Sequence, residues 1–334
     1  MISSPHPHPR HRWFREDQAD PGLLRGRSVS ILGYGLLGRP LALNLRDSLG
    51  DSIRVGSADE PSSAQARADG FAVESLEDAT TGADVVLLLL PDEVQPGILP
   101  RIAARLRPGA TLVFASGYAL AYGLVELPAG ANIVLFAPRM SGDAIRQRFL
   151  AGLGYVSYIG VEQEATADAW PHLLALAAAA GSLRHGALEM TAREEAVLDL
   201  YVEQACGPWL GAAILSAFQV GLESGLPPLG LLLELYLSGE MSETFGQMAR
   251  DGFLASTLAH GYAAAFGGMT QSMSIDREQL AEQMRGVMQE IQNGGFARAL
   301  QDEHAAGYPC RPFLEQMLAE DDVLNRTERA YREL

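Results

Sequence analysis

Three glycines in Gly33-Tyr34-Gly35-Leu36-Leu37-Gly38 lie between Ser28-Val-Ser-Ile-Leu32, a short run of strand formers, and Arg39 to Leu49, which has helical spacing. That placement restricts the fold more than any other feature. Gly33 permits a tight turn, Gly35 lets the backbone approach a pyrophosphate, and Gly38 allows a helix to pack closely on its strand. The helix that follows offers the partial positive charge of its N-terminus to phosphate groups. A dinucleotide-binding strand–turn–helix is therefore expected, with the backbones of Gly33, Tyr34, Gly35, Leu36, Leu37 and Gly38 against the cofactor.

The following residues repeat the pattern. Strands are expected at Ile53–Gly56, Phe71–Val73, Asp84–Leu90, Thr111–Ala115 and Asn132–Ala137, with helices between them. Strands alternating with helices imply a Rossmann-type, doubly wound parallel sheet, and a wholly apolar strand such as Val85-Val-Leu-Leu-Leu-Leu90 belongs in its middle. A carboxylate near the end of the second strand, Asp59 or Glu60, is placed to hydrogen-bond a ribose and repel a 2′-phosphate, which slightly favours NADH. Ser62 and Ser63, with Arg54 and Arg67 nearby, could instead receive that phosphate, so NADPH stays open. Pro91, after a central strand, shapes the cofactor wall with Leu90, while Asp92 and Glu93 read as caps of the next helix.

After about Gly181 the strand signals stop, and helices are expected at 189–220 with an interruption near Gly207-Pro208, at 228–250, 254–265 and 276–293. The organisation reads as a flexible leader over 1–22, a dinucleotide-binding domain over 23–183 and an all-α domain over 184–334. The net charge of -16 argues against nucleic acid or anionic membrane as a partner. Two cysteines cannot build a disulfide framework, and no uninterrupted apolar run approaches 18 residues, so a cytoplasmic protein acting on a small molecule is expected.

One helix of the second domain carries Asp199 and Glu203 four residues apart, on a surface otherwise lined by Leu198, Leu200, Tyr201, Val202 and Ala205. Positions four apart are helical neighbours, and carboxylates headed for an interior need a cation or an ion pair. Magnesium fits that need, and pairing with Arg184 or Arg193 is the alternative.

Several further segments, taken in order, carry a resemblance. Ile31-Leu-Gly-Tyr-Gly-Leu-Leu-Gly38, Leu89-Leu-Pro-Asp-Glu-Val-Gln95, Phe114-Ala-Ser-Gly-Tyr118, Ala137-Pro-Arg-Met-Ser-Gly142 and Ile291-Gln-Asn-Gly-Gly-Phe-Ala297 resemble ketol-acid reductoisomerase, short form, over about residues 23–320. The resemblance implies a magnesium-dependent alkyl migration in a 2-acetohydroxy acid followed by reduction with NADPH or NADH. It also implies a knotted helical domain and an active site shared across a homodimer. On that mapping Asp199, Glu203 and Glu234 are metal ligands, Ser116, Gly117 and Arg139 lie at the reacting centre or cofactor, and one or two magnesium ions bind. The departures are Ser238 for a second acid after Glu234, Ser116 for a histidine, Arg139 for a lysine and, more loosely, Gly261 for a substrate-binding serine. Loss of an acid weakens a second metal ion, whereas hydride transfer asks only for an oriented carbonyl and a proton source. The leading expectation is thus a diverged reductase of a 2-keto acid, ketol acid or related carbonyl or imine. The alternatives are an ordinary ketol-acid reductoisomerase of branched-chain amino-acid synthesis and a non-catalytic dinucleotide-binding protein.

Overall fold

The computed structural model describes residues 11–140, 142–256 and 261–334, so the first ten residues of the expected leader lie outside the described ones, as does His260. The chain divides into two compact units, Met1–Leu198 and Asp199–Leu334.

The first unit is built on nine strands: β1 (Trp13–Phe14), β2 (Val29–Leu32), β3 (Ile53–Gly56), β4 (Val73–Glu74), β5 (Val85–Leu88), β6 (Thr111–Phe114), β7 (Asn132–Pro138), β8 (Val156–Gln163) and β9 (Gly186–Glu189). They form one sheet in the order β1-β9-β8-β7-β6-β5-β2-β3-β4. From β4 across to β7 every pairing is parallel, so the expected doubly wound sheet is present. The strand order reverses between β2 and β5, and open parallel sheets take ligands beyond the carboxyl ends of their strands at such a switch point.

Successive residues of a strand face opposite sides, and β5 uses this fully. Val85 and Leu87 join Ile31, Val113 and Val134 in one core, whereas Val86 and Leu88 join Leu32, Leu112, Phe114 and Ile133 in the other. Helices α1 (Gly38–Leu49), α6 (Gly142–Leu150) and α7 (Ala169–Ala179) cover the first face. The second face is covered by α2's successor α3 (Leu76–Thr80), α4 (Gln95–Ala103) and α5 (Tyr118–Ala121), α2 itself spanning Glu60–Ala68.

Three strands go beyond the expectation. β8 runs antiparallel to β7, β9 is parallel to β8, and β1 closes the edge antiparallel to β9. Residues 11–22 were expected in a mobile leader; they are ordered instead, because β1 finds its partner far along the chain. Arg12 grips Glu189, 177 residues away, through Nε–Oε2 at 2.6 Å and Nη2–Oε1 at 3.1 Å, and its guanidinium lies 4.9 Å from the ring centroids of both Phe14 and Trp170. No local periodicity signals such a strand. The expectation that strands end at Gly181 fails likewise, since β9 is four residues long and takes its partners from elsewhere.

A continuous helical run, Ala192–Glu223, follows β9. It comprises α8 (Ala192–Tyr201), a π-helical turn (Val202–Cys206) and α9 (Gly207–Glu223). The interruption expected near Gly207-Pro208 takes the form of this π-helical turn, through which the run stays helical. Proline lacks the N–H that would meet the carbonyl four residues back, and the wide turn just before it, in which the Gly207 N–H reaches Val202 O, absorbs the mismatch. By length and composition this run could cross a membrane, contrary to the expectation that no apolar run approaches that length.

The second unit contains α9, α10 (Pro228–Leu232), α11 (Glu240–Asp251), α12 (Phe253–Ser256), α13 (Tyr262–Ser272), α14 (Arg277–Gln292), α15 (Gly295–Ala305), α16 (Arg311–Ala319) and α17 (Val323–Arg332). The expected 228–250 helix is divided: a second π-helical turn (Leu233–Leu237) follows α10, and Gly239, at φ +86°, starts α11 afresh. α10 packs on α9 and α17, and α14 packs on α15 and the first π-helical turn.

The glycine turn generates one stability prediction. A Cβ on Gly38 would overlap the Gly33 carbonyl. Gly38→Ala should therefore destabilise the protein by about 1–3 kcal/mol, the usual range for overpacking, as read from urea unfolding midpoints.

Candidate active site

The glycine turn lies at the switch point of the sheet. Gly33, at φ +99°, passes so close to the β5 end that a Cβ would sit 2.5 Å from Leu89 O, while nothing lies within 4 Å of a Cβ built on Gly35. That open space above an exposed backbone fits a pyrophosphate. Leu36 is 79% exposed and Leu37 half-buried, but the Tyr34 side chain turns inward, so at Tyr34 only the backbone faces the cofactor.

Asp69 holds this turn in place. Its carboxylate accepts from Tyr34 Oη at 2.9 Å, Arg39 Nε at 2.7 Å and Nη2 at 3.2 Å, and Gln65 Nε2 at 3.2 Å. The Arg39 guanidinium, aided by the other two donors and opposed by partial burial, pulls the Asp69 carboxyl down to about 2. The same contact and desolvation push the Tyr34 phenol up, burial being the larger cause.

Asp59 caps α2, accepting from Ser62 N at 2.9 Å. Ser63 is buried and donates to Asp59 O at 2.7 Å, so its hydroxyl serves the turn rather than a phosphate. Arg54 is engaged by Glu74, Thr81 O and Asp78 O, and Arg67 pairs with Glu60 at 3.0 Å.

A second group of polar residues gathers at the carboxyl ends of β5, β6 and β7. Glu195 of α8 is only 1% exposed, and its carboxylate accepts from Gly117 N at 2.6 Å and Arg139 Nη1 at 2.7 Å. Ionised carboxylates are rarely so deep without partners, and here two strand ends supply them. A Cβ at Gly117 would collide with Ala192 O, so glycine is what lets α8 approach. The Arg139 guanidinium also lies 5.0 Å from the Tyr158 ring centroid.

Beside this pair, Ser116 Oγ donates to Asp92 Oδ2 at 3.0 Å and accepts from Tyr118 N at 3.2 Å. Gln95 Nε2 reaches Asp92 Oδ1 at 3.1 Å and Leu90 O at 2.9 Å. Burial pushes the Asp92 carboxyl up to about 6, with the negative charges of Glu195 and Glu93 adding to the rise and the Ser116 and Gln95 hydrogen bonds opposing it. Asp92 is therefore not the helix cap expected from the sequence; Val94 occupies the N-cap position of α4. Tyr118 is buried edge-on against Tyr122, 5.2 Å between centroids, with its phenol raised to about 12 mainly by burial. Sequence reasoning passed over Glu195 and assigned Asp92 to a helix cap. A signal for Glu195 was available in its position one helical turn before Asp199. Leu90 is half-buried and Pro91 exposed at the β5 end.

The acids expected to bind metal present themselves differently. Asp199 is half-buried, and Glu203 and Glu234 are exposed rather than interior. Of the apolar residues around Asp199 and Glu203, Leu198 is 40% and Val202 57% accessible, whereas Leu200 and Ala205 are buried. Among the described residues no three acidic, histidine or cysteine side chains of one chain lie together to hold a metal ion.

A parallel sheet with a glycine cradle at its switch point, and ionisable groups beside it, defines a nicotinamide-dependent oxidoreductase of the Rossmann type. Comparison with known proteins makes this particular. Residues 23–186 match the acetohydroxy acid isomeroreductase NADPH-binding domain, and residues 192–333 match the ketol-acid reductoisomerase C-terminal domain. The ketol-acid reductoisomerase (NADP(+)) of Renibacterium salmoninarum is 34% identical over 89% of this chain and 87% of its own length. That of Methanothermobacter thermautotrophicus is 33% identical over 93% and 94%. The structure of an NADH-preferring ketol-acid reductoisomerase from an uncultured archean superposes with a TM-score of 0.90 at 27% identity, covering 97% of this chain and 99% of that one. A pyrroline-5-carboxylate reductase from Coxiella burnetii shares the fold alone, at TM-score 0.57 and 11% identity over 80% of this chain and 98% of that one. The chain belongs to the ketol-acid reductoisomerase family and is an NAD(P)-dependent oxidoreductase.

Two predictions follow from the geometry. Asp69 has its carboxyl at about 2 in the folded state against an ordinary 3.8. Its contribution is full above pH 4 and is lost as pH falls through 2, so Asp69→Asn should lower stability by about 2 kcal/mol at pH 7 and by progressively less toward pH 2, as measured by urea unfolding across that range. Glu195→Ala removes the buried carboxylate that binds Arg139 and leaves the Gly117 N–H without its acceptor, and should cost about 3 kcal/mol, measured in the same way at pH 7.

Proposed function

We propose that this protein reduces a 2-keto acid, ketol acid or related carbonyl or imine, and that alkyl migration is no longer its main reaction. The observation that carries this reading is the Arg139–Glu195 pair beside Ser116, where the family pattern set out above has a lysine and a histidine. A guanidinium fixed by a buried carboxylate can orient and polarise a substrate carboxylate or carbonyl. The nicotinamide supplies the hydride; the chain's own residues orient the acceptor, exclude water and deliver a proton. Migration asks in addition for two metal ions acting together, and Ser238 brings no charge to the second. The names of the curated relatives favour the alternative of an ordinary ketol-acid reductoisomerase.

Magnesium and a second copy of the chain belong to the proposal. Asp199 and Glu203 of one chain with Glu234 of another would complete an oxygen-ligand set that one chain does not assemble. Exposed apolar residues along α9, among them Trp209, Leu210, Leu215 and Val220, support burial against a second copy rather than in a membrane. A soluble, cytoplasmic homodimer is the assembly in view. NADH is accepted at least as well as NADPH on this reading, because Arg54 and Arg67 are already committed to Glu74 and Glu60.

With magnesium and NADH or NADPH, the purified protein should reduce a 3-hydroxy-2-keto acid at least about 100-fold faster than it converts 2-acetolactate, the margin expected when electrostatic stabilisation of one step is lost. Comparable turnover of both substrates would return it to the ordinary activity. Calorimetric titration of magnesium with cofactor present should show binding to the wild type and none to Asp199→Ala.

A further inference from the structure

The contact between Asp92 and Ser116 has a chemical use that the sequence reading missed. Ser116 Oγ has one hydrogen and two lone pairs, and Tyr118 N–H occupies one lone pair. With Asp92 ionised, the serine hydrogen is held by Asp92 Oδ2 at 3.0 Å, and the hydroxyl can only accept from a substrate. With Asp92 protonated, the carboxyl donates to the second lone pair and the serine hydrogen is released for a bound acceptor. The aspartate thereby sets whether the hydroxyl offers or takes a proton. Gln95, buried and bonded to both Asp92 Oδ1 and Leu90 O, fixes the carboxyl rotamer.

We propose that Ser116 is the proton donor of the reduction and that Asp92 is its positioning and proton-supplying partner. The proposal rests on the reductase reading above. As the hydride from the dihydronicotinamide forms a C–H bond at the acceptor carbon, the C=O π bond breaks and its electron pair goes to oxygen. That oxygen takes the Ser116 proton, Ser116 Oγ takes the Asp92 proton, and solvent reprotonates Asp92. The acceptor is reduced, the nicotinamide is oxidised, and the pair returns to its starting state.

Charged and titratable groups on each neighbouring element bear on Asp92. Glu93 follows it in the chain, Tyr118 opens α5, and Glu195 reaches in from α8 with Arg139 of the β7 end attached. Arg139 offsets Glu195, so the carboxyl responds to burial first and to its acidic neighbours second. Its rise to about 6 leaves part of the population protonated near neutrality.

The test uses the full-length protein and a 3-hydroxy-2-keto acid with NADH, NADPH and magnesium. For the wild type, kcat/KM should fall tenfold per pH unit above about 6, the value given for Asp92. Asp92→Asn and Ser116→Ala should each lower kcat at pH 6 by about 10²-fold or more, the range for general acid catalysis, and abolish that limb. The double variant should be no slower than either single one, and Ser116→Thr should recover most of the rate. Independently of turnover, difference infrared spectroscopy on the protein without cofactor should show the Asp92 carboxyl titrating near 6, and titrating higher in Ser116→Ala, which removes a bond to the ionised form. A limb that survives in both variants, multiplicative losses in the double variant, or a carboxyl unmoved by Ser116→Ala would overturn the proton relay while leaving the reductase reading intact. A wild type that reduces no such acid at any pH overturns that reading, and the relay with it.

Discussion

A buried carboxylate between two strand ends and a helix organises this protein. Glu195, almost entirely out of water, takes one hydrogen bond from the Gly117 backbone and one from the Arg139 side chain. Desolvating such a group is expensive unless donors surround it, so the β6 end, the β7 end and α8 must stay in register with one another. That registration places Ser116, beside Gly117, against Asp92 of the β5 end. Three neighbouring strands of the parallel sheet thus deliver their chemistry to one place, and the glycine turn after β2 brings the dinucleotide cradle to the same edge of the sheet.

The parallel core was legible in the sequence because its signals are local. Val85-Val-Leu-Leu88 is apolar on both faces, the three glycines sit where a turn must be tight, and Gly38 meets the Gly33 carbonyl as its spacing implies. What was not legible depends on distant partners. β1 has two residues and exists through β9, and the interruption that Gly207-Pro208 signals is a wide π-helical turn rather than a loop.

The site divides along the same line. The loop residues of the cofactor cradle could be named from motif spacing, yet Ser63 proves to be spent on Asp59 O, and Tyr34 on Asp69. Glu195 was passed over, and Asp92 read as a helix cap, because their environment is assembled from strands far apart in sequence. Asp199, Glu203 and Glu234 were expected in an interior on the strength of their apolar neighbours. Leu198 and Val202 among those neighbours are exposed while Leu200, Ala205 and Leu232 are buried, so hydrophobicity alone did not separate an interior from a surface.

The pairing of β1 with β9 also orders events in time. The first strand leaves the ribosome early, but its hydrogen-bond partners, Ala187 and Leu188, are made more than a hundred residues later. By then β2 to β7 have all been synthesised and can pair among themselves, so the amino-terminal arm is a late addition to a sheet already standing. Until β9 is made, β1 has no strand to pair with, so the amino-terminal arm waits for the edge it covers.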